Sequence, residues 1–211
     1  QNPVSGVKRP KTGNNGVGAG VTRSLTKRQV EKLLTAPSPD TLQGLRDRAL
    51  LKVYCYSGAR VSEPLKMKVK DLRPDRDYML IDLVLKGGKR NTVAINPDCV
   101  AAIRDYLEVA RHGEDPDAFL FQPVGRNESS LPHLSRTQIY RLFEKYGAQV
   151  GLEDMNPHVA RATFISLSYD NGTDGEDIRR TVGHSSITTT EGYNHTARKH
   201  KQSASLQIYF D

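Results

Sequence analysis

Residues that start and stop α-helices recur along this chain at short intervals, and they dictate a fold built mostly of short helices. Thr26-Lys27-Arg28-Gln29 and Ser135-Arg136-Thr137-Gln138 are capping boxes, whose side chains satisfy free N–H groups at a helix start. Asn96-Pro97 and Asn156-Pro157 place an N-cap side chain before a proline, whose missing N–H is harmless in a first turn. Gly58, Gly183 and the pair Asn171-Gly172 stand where helices are expected to stop.

The apolar spacing fills in the elements. Val30, Leu33 and Leu34 follow the first box at helical spacing. A second helix is predicted over residues 41–56, with Leu42, Leu45, Ala49, Leu50 and Val53 as its buried stripe. Ser62 is placed to cap a short helix reaching Lys66, with Pro64 in its first turn. Val100, Ile103, Leu107 and Val109 or Ala110 mark the helix after Asn96. The helix after Ser135 runs to about Val150, the one after Asn156 to about Tyr169, and another covers residues 174–182. Residues 187–200 read as a polar helix. Residues 78–85 are rich in Leu, Ile and Val, Lys86-Gly87-Gly88-Lys89 forms a turn, and Thr92-Val93-Ala94-Ile95 returns, a β-hairpin with a basic tip. Phe119-Leu120-Phe121 reads as a short buried piece. The expected fold class is mainly α with a small antiparallel β-hairpin or sheet (α+β).

At 211 residues the chain is long enough for one domain with a core, or one domain plus an arm. Residues 1–23 are basic and rich in glycine, a composition that buries no core, and are expected to be a flexible linker, which the family resemblance given below makes an interdomain one. Its Lys8, Arg9 and Lys11 are candidates to track DNA phosphates. Residues 24–211 are the expected folded domain, with the tail from about residue 201 at its end. The opening Gln1-Asn2-Pro3-Val4 lacks an initiator Met and an apolar signal core, and is expected to be an internal cut in a longer protein. Nothing in the sequence is apolar for long enough to form a membrane helix.

Thirty-one Lys and Arg against 24 Asp and Glu give a net charge of +7, which suits a polyanionic partner and equally suits simple solubility. Cys55 and Cys99 sit in or beside apolar runs, as reduced core cysteines of an intracellular protein do. No Cys/His cluster has zinc spacing, and neither a Walker loop nor a dinucleotide fingerprint is present. No cofactor and no metal are expected.

The residues with chemical potential lie in separate stretches. His158 and Arg161 share a helix face at i, i+3. Gly183-His184 follows a helix end, nine positions before Tyr193. Arg60 follows Gly58, with Glu63 three residues on, and Lys86 sits at the hairpin tip. Taken singly each has a plainer reading: a surface charge for Arg60, a capping or packing role for His158, an edge charge for Lys86, a half-buried aromatic for Tyr193. Taken together they are the groups needed to attack a phosphodiester. Two guanidinium forks meet the charge on non-bridging oxygens. A phenol with ordinary pKa near 10 needs a base or a positive field to act as nucleophile. A His or Lys can protonate the leaving alkoxide.

The ordered set resembles the tyrosine recombinases, the family of phage-type integrases and Xer-like resolvases. The resemblance rests on Tyr56-Ser57-Gly58-Ala59-Arg60-Val61-Ser62-Glu63, on Leu85-Lys86-Gly87-Gly88-Lys89-Arg90, on His158-Val159-Ala160-Arg161, and on Gly183-His184-Ser185-Ser186-Ile187-Thr188-Thr189-Thr190 leading to Tyr193. It spans about residues 24–200 and implies the catalytic-domain fold of that family. Pro64 stands where the family usually has Leu, and Ala160 where a larger apolar residue is common; neither removes a reacting group.

The roles below are those the resemblance implies. Arg60 and Arg161 clamp the scissile phosphate, and Lys86 (or Lys89 as the alternative lysine) protonates the departing 5′-oxygen. His158 serves as acid/base near the nucleophile, His184 hydrogen-bonds a non-bridging oxygen, and Tyr193 attacks to form a 3′-phosphotyrosine. Glu63 buttresses Arg60, and Arg90 is a DNA contact. The expected activity is site-specific recombination or integration, metal-independent, on double-stranded DNA at attachment or recombination sites. Viral or mobile-element integration, dimer resolution and inversion all use such a site. The expected assembly is a homo-tetramer on DNA, in the cytoplasm (nucleoid-associated, or the host cytoplasm if virus-encoded), with no membrane. The apolar run Leu206-Gln207-Ile208-Tyr209-Phe210, in a tail of about residues 201–211, is expected to pack on a neighbouring protomer or on its own domain. Two other readings stand beside this one: a DNA-binding relative that no longer cuts, and a type IB topoisomerase-like enzyme, with a protelomerase as a remoter form.

Overall fold

In a computed structural model the residues described are 22–85, 87–125 and 132–194. The helices are α1 (Lys27–Thr35), α2 (Leu42–Ser57), α3 (Pro97–Ala110), α4 (Arg136–Gln149), α5 (Pro157–Asp170), α6 (Gly175–Val182) and α7 (Ile187–Glu191). Both capping boxes form, at Thr26 and at Ser135. Asn96 and Asn156 cap α3 and α5, each with proline in the first turn. α2 and α6 end at left-handed glycines, Gly58 and Gly183.

The sheet has three antiparallel strands, β1 (Leu72–Asp75), β2 (Tyr78–Val84) and β3 (Arg90–Ala94), with β2 in the middle. β2 and β3 are the expected hairpin, with Ile81 opposite Val93 and both buried. β1 is additional. Its Pro74 is tolerated because β1 is an edge strand, where a missing N–H breaks no inner ladder.

Three expectations are corrected and one choice is settled. Ser62 caps no helix: the chain makes only a 3-10 turn, Pro64–Lys66, with Glu63 at its N-cap position and no side-chain cap. Pro64 removes an N–H that a hydroxyl at 62 would have served. The α2 stripe was too narrow: Leu42 and Leu45 are half-buried, while Arg46, Asp47, Leu51 and Tyr54 are buried. Arg46 and Asp47 survive burial because they pair at 2.6 Å and are satisfied further by Gln122 O and Tyr146 Oη. In α3, of the two positions offered, Val109 is exposed while Ala110 packs half-buried on the core, and Tyr106 is buried as well. The last polar helix stops at Glu191 rather than near 200, because Tyr193 N and Asn194 N turn back tightly onto Thr190 O and Glu191 O. The remainder of that expected helix, 195–200, lies outside the described residues.

Two apolar clusters organise the domain. The larger runs from α1 and α2 through the sheet and α3 to α4 and the start of α5. The smaller joins Ile165 and Tyr169 of α5 to Ile178 and Val182 of α6, with Phe164 and Tyr193 packed against it. α5 therefore belongs to both. Cys99 is buried and Cys55 half-buried, both free thiols pushed up to about 12 by burial. Among the described residues no helix is long and apolar enough to cross a membrane.

Candidate active site

The site forms where α2 and α6 end beside each other. Gly58 and Gly183 adopt φ of 62° and 63°, which turns the chain sharply and leaves helix-end carbonyls facing inward. The turn at Gly58 is also tight: a Cβ there would lie 2.6 Å from Phe164 Cδ1 and 2.9 Å from Val182 Cγ1.

Two guanidiniums cap these ends. Arg161, buried on α5, donates through Nη1 to Gly58 O at 2.6 Å and through Nη2 to Val182 O at 2.8 Å. Arg60 donates through Nη2 to Gly183 O at 3.1 Å. Cations are favoured here because the helix dipole is negative at its C-terminus. Buried Glu63 accepts from Arg60 Nη1 at 3.0 Å and from the Arg60 backbone N–H at 2.8 Å, fixing both side chain and main chain. Burial, and then the neighbouring Arg60, push Arg161 down to about 10, so it remains a cation at neutral pH.

His184 follows Gly183 directly and is buried. Its Nδ1 lies 2.9 Å from Oγ1 of Thr190, itself fully buried. Its carbonyl accepts from Arg179 Nη1 at 2.7 Å, while the same guanidinium holds Glu176 at 2.7 Å. Burial first, and then Arg161, Arg60 and Arg179, drive the imidazole from 6.5 down to about 4. It is neutral at physiological pH. The half-buried Tyr193 ring lies nearly parallel to it, 17° between planes and 6.4 Å between centroids. Ser166 Oγ donates to Tyr193 O at 3.3 Å, tying this segment to α5.

Thus Arg60, Glu63, Arg161, His184 and Tyr193 are gathered. His158 lies on the first turn of α5, exposed, one turn ahead of Arg161. Its backbone N–H is capped by Asn156 Oδ1 at 2.9 Å, and among the described residues its imidazole makes no hydrogen bond. Lys89 is exposed on the hairpin turn, which Leu85 N closes onto Lys89 O at 2.8 Å. Arg90 is exposed and leans toward Asp82 and Asp71, at 3.6 and 3.7 Å. Lys86, Lys8, Arg9, Lys11 and the tail 201–211 lie outside the described residues.

Sequence reasoning gave no role to Thr190, Arg179 or Ser166. Thr190 belongs to the run Thr188-Thr189-Thr190, and only the short α7 brings its hydroxyl back to His184. Arg179 sits in the last turn of α6, where a cation meets outgoing carbonyls, a signal that was available. Among the described residues no group of three or more His, Cys, Asp or Glu is placed to hold a metal ion. What the pocket offers is fixed positive charge, a neutral imidazole and a phenol, which is the chemistry of attack on a phosphodiester.

Comparison with known proteins gives the chain its relatives. The tyrosine recombinase XerC of Chlamydia caviae is 34% identical over 182 residues, covering 84% of this chain and 56% of the relative. The chain spans about three fifths of the length of such relatives. The crystal structure of the XerA recombinase matches with a TM-score of 0.74 at 23% identity, over 94% of this chain and 68% of that one. The XerH site-specific recombinase, in a post-cleavage complex with palindromic difH substrate, matches with a TM-score of 0.72 at 22% identity, over 92% and 54%. At these identities the two structures show the shared fold. Residues 23–200 match the phage integrase family, and the chain belongs to it.

Proposed function

We propose that this chain is the catalytic domain of a site-specific DNA recombinase, which cuts and rejoins one strand through a 3′-phosphotyrosine. The observation that carries the reading is the meeting of Arg60, Arg161, His184 and Tyr193, from distant stretches, at the paired ends of α2 and α6. A backbone phosphate bound there faces two guanidinium forks with free N–H groups. Both remain charged through the reaction, so charge developing on the non-bridging oxygens meets preformed donors. His184, neutral, adds a further donor to one of these oxygens.

Tyr193 Oη attacks phosphorus as the P–O5′ bond breaks. The phenolic proton leaves to His158, the exposed imidazole one turn from Arg161. The 5′-oxygen takes a proton from Lys86, or from Lys89, and departs as a hydroxyl. Attack by a 5′-hydroxyl of a partner strand reverses the sequence and releases Tyr193.

Residues 24–211 are the catalytic unit in this reading, and residues 1–23 link it to another domain. Double-stranded DNA is the partner, in keeping with the XerH complex, and a tetramer is the working assembly. It acts where cellular or viral DNA resides, in the cytoplasm. The test is a nicked suicide substrate carrying a candidate attachment site, incubated with chelator and run on a denaturing gel. A covalent adduct mapping to Tyr193, and absent from Tyr193→Phe, is expected. DNA binding with no adduct points to a relative that no longer cuts. Relaxation of supercoiled plasmid lacking such a site points to a topoisomerase.

A further inference from the structure

We propose that Thr190 is a positioning residue that holds His184 in the tautomer with its proton on Nε2. This deepens the recombinase reading and rests on it for the role of His184. The Thr190 hydroxyl is fully buried, so no water competes for it. Its one hydrogen-bond partner among the described residues is His184 Nδ1, at 2.9 Å. Other buried or half-buried hydroxyls here, on Thr163 and Ser168, donate to the carbonyl four residues back in their own helix. Thr190 makes no such bond among the described residues.

A threonine hydroxyl carries a single proton, and a neutral imidazole carries a single N–H. Two arrangements fit the contact. If Nδ1 donated to Oγ1, the hydroxyl proton would be buried with no acceptor, and an unmade buried hydrogen bond is costly. If Oγ1 donates to the Nδ1 lone pair, both groups are satisfied. The second arrangement leaves the imidazole proton on Nε2. Burial and three surrounding guanidiniums keep the ring neutral, so this tautomer is not lost to a second proton. A phosphate oxygen needs a donor, and only the Nε2–H form presents one on the side away from Thr190. Arg179 supports the same arrangement from behind, by gripping the His184 carbonyl.

The experiment uses the chain as it stands. Side-chain ¹⁵N NMR of wild type, Thr190→Val and Thr190→Ser reads the tautomer of His184 directly. Cleavage of the nicked substrate is timed for the same three proteins. Thr190→Val keeps the shape and removes the hydroxyl; Thr190→Ser keeps the hydroxyl. The expected result is a single Nε2–H form in wild type and Ser, with similar cleavage rates. Val is expected to show a mixture of tautomers and cleavage slowed about tenfold. An Nδ1–H signature in wild type overturns the proposal without help from any variant, so a poorly folded Val protein does not shield it. Unchanged tautomer and rate in a folded Val protein overturn it equally. An Nε2–H signature in a wild-type protein that forms no adduct sinks the recombinase reading and leaves the tautomer assignment standing.

Discussion

Arg161 illustrates how much one side chain is asked to do. A guanidinium has five N–H donors, and the carbonyls of Gly58 and Val182 occupy two of them. In the proposed reaction the rest are left for phosphate. A lysine has three donors on one point, so Arg161→Lys cannot hold two diverging carbonyls and also fork a phosphate. Single-turnover cleavage is expected to fall at least about 100-fold, with the adduct still mapping to Tyr193. His184 makes a pH prediction. The folded imidazole stays neutral to about 4, whereas the unfolded one takes a proton near 6.5. Acidification across that window loads a proton on the unfolded chain that the fold refuses, so this group loses stability as pH falls from 6.5 towards 4. Urea melts of wild type against His184→Gln are expected to show their stability difference moving against wild type as pH drops through the window. That Arg60, Glu63, Arg161, His184 and Tyr193 would come together was legible in their order and spacing along the chain. Thr190 was not, since a hydroxyl in a threonine run says nothing of where its proton points.

At the scale of elements, caps and stops were readable because their chemistry is local. Asn96-Pro97, Asn156-Pro157 and the two boxes start helices whatever surrounds them. What failed depended on distant partners. β1 exists because β2 offers it an edge, which Arg73-Pro74-Asp75 does not announce. The buried Arg46–Asp47 pair is tolerable only because α4 supplies Tyr146, and residue 122 a carbonyl. The helix ends at Gly58 and Gly183 give a graded test. Alanine at either position meets left-handed strain, but at Gly58 it also strikes the Phe164 ring and Val182. At Gly183 it meets the flexible end of Leu85, at 2.9 Å. Gly58→Ala is expected to cost about 2–4 kcal/mol and Gly183→Ala about 1–2 kcal/mol, read from denaturant midpoints at constant slope.

For the whole molecule, the proposed function places DNA against a chain of net charge +7, and phosphate contacts then dominate affinity. Log K against log salt should be linear, with a slope of about −0.9 for each phosphate neutralised. Removing residues 1–20, with Lys8, Arg9 and Lys11, should flatten that slope by about 2 to 3 units in fluorescence anisotropy titrations. An unchanged slope would show that this arm stays off the phosphates. The two apolar clusters matter at the same scale, because the candidate site straddles their seam. Arg161 grips one carbonyl on either side of it, and Arg60 reaches over from the α2 side to Gly183. A seam bridged in this way acts as an interlock. Sliding α6 off α2 by the reach of one hydrogen bond would take Gly183 O from Arg60 and leave Arg161 only one of its two carbonyls, so both guanidiniums would lose part of their anchorage in the same motion.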